Sequence, residues 1–409
     1  MKINKKLSLK IIFWLTMGTA QIIAFILFKE LADLSQWVIQ GAREGTMAIW
    51  YNRIPLAITS VIALAIASAI WLKTKAGVGK KGFIALLVLF AINWFSGIIN
   101  PHLMMRPRQD NAVFINIEQA QKYITPEESV IVYEIDGKAR AHADKQVLRP
   151  HVAGGEPVNG TEVVMTYCGL TNLGMAFIPE IDGQAVDMAP MTQLENNLVL
   201  FDKNTNEPIQ QLWGQTEADV IANIDRGMKE YPTFRMPFAT FSQAYPDGEV
   251  FINDYLVEDM RTSFWSNPVV FVYDRAMELI FETAIHFQET EEAPVFPTIE
   301  HFDDRLTNKE LIWGFDINDD YVSYTEEFVK ENGHLINVTV GGQDIVISYD
   351  EQYQSLGIFY NNTSSNINSI DFFGMTDIGI KLQRVETVKA GIYWVVWANF
   401  FPETDLNRI

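Results

Sequence analysis

HVAGGEPVNGTEVVMTYCGLTNLGMAF, residues 151–177, is the stretch from which the rest of the chain is organised. Within it TEVVMTYC alternates. Val163, Met165 and Tyr167 fall on one side of a strand and Val164, Thr166 and Cys168 on the other, with the β-branched and aromatic residues a half-buried strand needs. Asn159-Gly160 ahead of it predicts a turn, because both residues tolerate positive φ. Gly169 and Gly174 behind it allow a bend or a close backbone approach. The stretch holds the chain's one cysteine, Cys168, and His151 stands 17 positions upstream.

Outward from this strand the body reads as a duplicated module. At a shift of 182, residues 125–168 lie over 307–350 without a gap, with eight identities in 44 pairs, Thr125/Thr307 and Tyr167/Tyr349 among them. TPEESVIVYEIDGKARAHADKQVL sits over TNKELIWGFDINDDYVSYTEEFVK, and VNGTEVVMTYC over VGGQDIVISYD. LGMAF pairs with LGIFY after one inserted residue, and FSQAYPDGE with WANFFPETD at a shift of 156, so the second copy is shorter. This register places Asp350 over Cys168 and Gly333 over His151. Self-similarity on this scale marks a repeated module, not a solenoid. Each copy opens on a strand (VIVYEI; LIWGFDI), turns at Asp136-Gly137 or Asn318-Asp319-Asp320, and continues with a short helix at 143–148 or 326–331. Further strands are expected at NLVLFD (197–202), VVFVYD (269–274) and YWVVWANF (393–400). The acidic segment 287–306, with Pro294 and Pro297, reads as a linker.

Ahead of the body lie three apolar runs without a charge, at about 11–28, 54–72 and 83–99, each near the ~20 residues a hydrocarbon core requires. The first follows Lys2, Lys5, Lys6 and Lys10. It reads as a retained helix, since no small-residue cleavage site follows it. The loop 73–82, KTKAGVGKKG, carries four more lysines, whereas the 29–53 loop has Lys29, Arg43 and Arg53. Positive charge thus puts the tail and second loop in the cytoplasm and residues 101–409 outside it. Trp37, Trp50, Tyr51, Trp71 and Trp94 fall near the span ends, as interfacial aromatics do.

Charge is as uneven as hydropathy. Residues 1–100 hold 11 Lys and Arg against 3 Asp and Glu, and the rest hold 20 against 48, so a +8 segment precedes a −28 body. A body that acidic excludes nucleic acid as a partner, because phosphates would repel it. One cysteine excludes an intrachain disulfide framework.

These motifs resemble those of an uncharacterised family of exported bacterial proteins, domain of unknown function 3179. Its A-[RK]-A-Y-P, histidine, G-x-P-V-x-V-T-Y-C-P-L-C-G and closing aromatic motifs are similar to ARAH (139–142), His151, VVMTYC (163–168), GMAF (174–177) and IYWVVWANFFPET (392–404). The family's D-x-x-T-G-S-x-W-x-Q-x-x-G looks like DKNTNEPIQQLWG, keeping Asp202, Thr205, Gln211 and Gly214. The resemblance covers residues 120–406. The departures limit the chemistry. Thr171 replaces the family's second cysteine, and Val152 the glutamate after the histidine. Asn206, Glu207 and Ile209 replace its Gly-Ser and tryptophan. A dithiol cannot form, and a Cys₂His₂ zinc site would lack a ligand. The family brings no reaction with it.

Two readings of the site remain. His151 and Cys168 could hold a soft metal ion or act as an imidazolium–thiolate pair in nucleophilic attack. The favoured alternative is a small buried hydrophobe beside a hydrogen-bonded histidine. His142 is the other histidine nearby, and no G-x-S-x-G motif accompanies them. Tyr167, Thr171, Asp202, Gln211 and Trp213 could line a pocket with the turn at Gly169. The favoured alternative makes 204–206 a hairpin tip and Trp213 a core residue. His286 and His301 flank the linker as solvated side chains. The expected architecture is a β-rich α+β, duplicated extracytoplasmic domain behind three transmembrane helices in a bacterial inner membrane. Its segments are a tail (1–10), a membrane region (11–100), a first repeat (101–286), a linker (287–306) and a second repeat (307–409). The expected function is the binding of a small molecule or an envelope protein beside the lipid bilayer. The alternative is a metal- or thiolate-dependent enzyme centred on His151 and Cys168.

Overall fold

A computed structural model describes residues 5–409 except 33, 34, 36, 37, 76, 99–104, 295–297 and 364. Of the residues read above, Lys2, Trp37, Ile99 and Pro297 lie outside the described residues. The chain divides into two compact units and is 35% helical and 28% strand.

The first unit is three helices, Lys5–Leu31, Arg43–Thr74 and Lys80–Ile98, each long and apolar enough to cross a membrane. Helix is the form that satisfies every backbone group within such a run. The second begins at Arg43, well before the expected span, so Trp50 and Tyr51 are helical and not in a loop. Small and aromatic side chains make the contact between helices. Phe13, Met17, Ala67, Trp71 and Phe83 form one cluster, and Trp71 stacks on Phe83 at 4.1 Å. Gln21 Nε2 donates to the Leu86 carbonyl at 2.8 Å, the interhelical use expected of a polar residue in a span. Leu15, Ile22 and Leu72 point outward.

The second unit is built from sheets. Ser129–Ile135 pairs antiparallel with Lys138–Ala143 on one side and Phe234–Pro237 on the other, and Lys138–Ala143 pairs in parallel with Glu249–Ile252. Val113–Asn116 adds an edge. An antiparallel sheet of Val152–Ala153, Val164–Cys168, Leu173–Phe177 and Glu230–Tyr231 packs against it. Alternation explains the packing. Ile131, Tyr133 and Ile135 meet Val163, Met165 and Tyr167 in one core, while Val130 and Val132 turn to Phe234, Phe241 and Val250 in another. Further along, Leu311–Ile317 pairs antiparallel with Asp320–Tyr324 and Lys389–Tyr393, and Asp320–Tyr324 in parallel with Asp405–Leu406. Leu335–Val340, Gln343–Asp350, Ser355–Tyr360 and Gln383–Arg384 form the sheet beside it. Strand order and sense agree between the two halves. The first half also carries an antiparallel sheet of Asn197–Asp202, Pro208–Gln210 and Gln215–Thr216, with no counterpart among the described residues of the second.

Four readings change. VVFVYD is not a strand but the start of the helix Pro268–Thr290. Asn267 Oδ1 accepts from Val270 N at 3.2 Å, Pro268 occupies the first turn, and the good helix formers beyond propagate it. That helix also takes the first four residues assigned to the linker. YWVVWANF leaves its strand at Tyr393 and becomes the helix Trp394–Phe400. Trp394, Val395, Val396, Trp397 and Ala398 are all buried, and an apolar run buried on every side carries no period to tell strand from helix. No residue is inserted before LGIFY: Cys168 pairs with Leu173 and Asp350 with Ser355, so both hairpin turns have equal length. Finally, Tyr167 N donates to the His151 carbonyl at 2.9 Å and Tyr349 N to that of His334 at 3.0 Å. His334, not Gly333, occupies the place of His151, and both histidines have positive φ, 65° and 56°.

Candidate functional site

A cleft of about 470 Å³ opens beside the central hairpin. Its floor is Tyr167, Gly169 and Asn172, and Asp144 stands at one end, on the first residue of the helix Asp144–Leu148. The helix Pro268–Thr290 forms the wall through Glu278, Phe281, Glu282, Ile285, His286 and Glu289, and Tyr393 closes the far side. The spacing of these helical positions sets them on adjoining stripes of one face. Gly169 lets the helix approach, since a Cβ there would come within 2.5 Å of Ile285 Cδ1. Both ends of the helix are tied down. Asp274 accepts from Arg149 at 2.7 Å and pairs with Arg106 at 3.0 Å, and Gln288 Nε2 donates to the Leu170 carbonyl.

Arg235, on Phe234–Pro237, holds the floor. Its Nη1 donates to both Asp144 oxygens (3.0 and 2.8 Å) and to Ser129 Oγ, its Nη2 to the Asn172 carbonyl at 2.7 Å, and its Nε to the Ala390 carbonyl at 2.9 Å. Asn172 Nδ2 reaches the Gly391 carbonyl and Tyr393 N the Thr171 carbonyl, so the two halves of the body are joined where the cleft lies. Gly391, at φ 75°, is required because a Cβ would meet Arg235 Cδ at 2.8 Å. Burial raises the Asp144 carboxyl against the opposing pull of Arg235. It raises the Tyr167 phenol well above its usual range, and the hydroxyl donates to Asn172 Oδ1 at 3.2 Å. Burial, with Glu289 adding to it, lifts Tyr393 to about 12.

Of the residues singled out from the sequence, Tyr167 and the Gly169 turn reach this cleft, and His286, expected only as a solvated side chain beside the linker, lines its wall. Cys168 is fully buried on the opposite face of its strand, where the groups acting on its thiol are Thr171, Leu170 and Leu198, and burial pushes the thiol up. His151 is buried on the other side, edge-on to Phe281 at 6.0 Å, with burial lowering its imidazole to about 3 and no hydrogen-bond partner at Nδ1. No hydrogen bond joins the two, and both environments favour the neutral forms, whereas metal ligation and nucleophilic attack need the thiolate. Among the described residues no group of three or more His, Cys, Asp or Glu side chains is placed to hold a metal ion. Thr171 caps its own turn, donating to the Cys168 carbonyl at 2.9 Å and accepting from Leu173 N. Asp202 accepts from Asp187 N, Asn204 N, Thr205 N and Thr205 Oγ1, an Asx-type knot at the hairpin tip. Gln211 Nε2 bridges Thr166 Oγ1 and the Leu173 carbonyl inside the protein. Trp213 is not a core residue. It is half-buried, edge-on to Phe400 at 5.2 Å.

The residues missed are Asp144, Arg235, the wall of Pro268–Thr290 and Tyr393. A helix-first aspartate was visible in the sequence. Arg235 and Tyr393 carry no local signal, since their role arises from contacts 91 and 222 positions away in the chain. No curated protein and no solved structure matches the chain. A family model described as "Protein of unknown function (DUF3179)" matches residues 101–404, which take in the hairpin, the cleft and both halves of the body. The chain therefore belongs to the DUF3179 family.

Proposed function

We propose that the chain is a membrane-anchored extracytoplasmic module of the bacterial envelope that binds a small ligand in the cleft beside Tyr167. The carrying observation is the cleft itself: a concave site with aromatic and aliphatic walls and a few convergent polar groups, of the size small-molecule sites have. The three apolar helices supply the anchor, and the lysine-rich tail and 73–82 loop favour a cytoplasmic N-terminus with the body outside. The body descends from a duplicated, β-rich module. The support is the common strand order, the 182-residue register kept through both hairpins, and the matched His151 and His334. One half kept a covered cleft and the other became a support for it.

Two measurements test this. His286→Cys in whole cells should react with a membrane-impermeant maleimide before lysis, because His286 is exposed at the cleft and Cys168 is sealed. Labelling that requires lysis overturns the extracytoplasmic placement. Thermal unfolding of the full chain in nanodiscs should shift upward with a subset of small charged and neutral probes. His286→Trp, which crowds the cleft, should cancel the shift. A shift that survives it places binding elsewhere.

A further inference from the structure

We infer that the cleft takes a primary ammonium compound, and that Lys330 in the second half is the chain's own copy of that ligand. The inference rests on the reading of the cleft as a binding site. Sheet register makes Tyr349 the counterpart of Tyr167, and Glu326, first residue of the helix Glu326–Glu331, the counterpart of Asp144. Lys330 stands where Leu148 stands. Its ammonium lies 3.9 Å from the Tyr349 ring centre and 3.1 Å from the Glu326 carboxylate. The tyrosine and helix-first carboxylate of this framework thus accept an ammonium, stabilised by the negative ring face and the carboxylate together.

In the first half Leu148 brings no charge to this place. Arg235 serves Asp144 from the protein side, its N–H groups turned to Ser129, Asp144, Asn172 and Ala390, with its guanidinium carbon 5.9 Å from the Tyr167 ring centre. The charge balance of the cleft then decides the ligand. Arg149 pairs with Asp274, Lys145 leans to Glu128 at 3.9 Å, and Glu278 is held by Arg261 and Arg275. Lys309 lies over the Tyr393 ring at 5.3 Å, its ammonium donating to the Gln288 carbonyl. Among the described residues no cationic side chain stands within ion-pair distance of Glu282 or Glu289, and the two carboxylates flank His286 beside Phe281 and Tyr393. Two uncompensated carboxylates among aromatic rings recognise an organic cation, and the Lys330 copy specifies an ammonium on an aliphatic stem.

The test uses the full chain in phosphatidylcholine nanodiscs and n-butylamine, a lysine side chain freed from its backbone, with n-butanol and butyrate beside it. Saturation-transfer NMR should give n-butylamine an affinity about tenfold or more above either. Glu282→Gln with Glu289→Gln should weaken it by about tenfold, and Leu148→Lys should abolish it by self-occupation. Glu326→Gln with Glu327→Gln, which removes equal charge from the other half, should change it less than about twofold. Equal loss in both double variants would reduce the effect to general acidity and overturn the inference. Preferred binding of n-butanol or butyrate, sensitive to His286→Trp, would overturn the ammonium and leave the cleft standing. If no probe responds to Leu148→Lys or to His286→Trp, both readings fall.

Discussion

The two halves of the body share one framework and treat its exposed face differently. In the first half, the hairpin turn carries Gly169, and the helix Pro268–Thr290 lies on it to make a cleft. In the second, Glu351 holds the position of Gly169, no helix packs there among the described residues, and Lys330 covers Tyr349 with its own side chain. His151 is sealed behind the cleft, whereas His334 is 39% exposed and pairs with Glu351 at 3.5 Å. The same backbone thus makes a cleft where a second layer covers it and an ordinary solvated surface where none does. A cleft needs two walls, and one sheet supplies one.

The largest expected break in this comparison is at Arg235. Arg235→Ala strands the Asp144 carboxylate and opens the contact with Ala390, at a cost of about 3–5 kcal/mol in chemical denaturation. In the other half Lys330→Ala removes a partly exposed pair with Glu326 and should cost under about 1 kcal/mol. Equal effects would show that the two cations play the same structural part. Next, Gly169→Ala should destabilise by about 1–3 kcal/mol through overpacking against Ile285 and Leu148, while Glu351→Ala should stay within about 0.5 kcal/mol.

Acid should separate the halves as well. His142 and His151 are held neutral by burial, lowered from 6.5 to about 3. Between those values the unfolded chain binds protons that the native protein does not. Stability is therefore full above 6.5 and falls toward pH 3, by up to about 1.4 kcal/mol per pH unit for each histidine. His151→Asn, which tolerates the positive φ, and His142→Phe should each flatten the thermal midpoint's pH dependence. A pH dependence that survives both substitutions would overturn this assignment. The smallest effect is at Cys168. Cys168→Ala removes one sulfur from a buried position and should leave probe binding within about twofold, because the thiol faces away from the cleft.

Much of the framework was legible in the sequence. The central hairpin, the Asp136-Gly137 turn, the short helices at 143–148 and 326–331 and the three apolar helices follow from local period, turn chemistry and length. The candidate site was legible only at Tyr167 and the Gly169 turn. Cys168 and His151 draw attention as residue types, yet strand alternation sends the first to the far face and burial silences the second. The helix over the cleft was misread because VVFVYD has the composition of a strand, and periodicity in six residues cannot outweigh a cap and a long helical continuation.

What the sequence by itself determined is whatever depends on neighbours within a few residues: the apolar helices, the turns, the strand faces and the motifs of the family. What only the tertiary structure decided is where the second layer lies. Arg235 meets Asp144, Asn172 and Ala390 through backbone and carboxylate contacts that leave no pattern along the chain. Burial then sets which histidine is silent and which carboxylates face a cavity. The physical reason is range: hydrogen-bonded turns and hydrophobic period are local terms, while burial and charge balance are sums over everything that folds nearby.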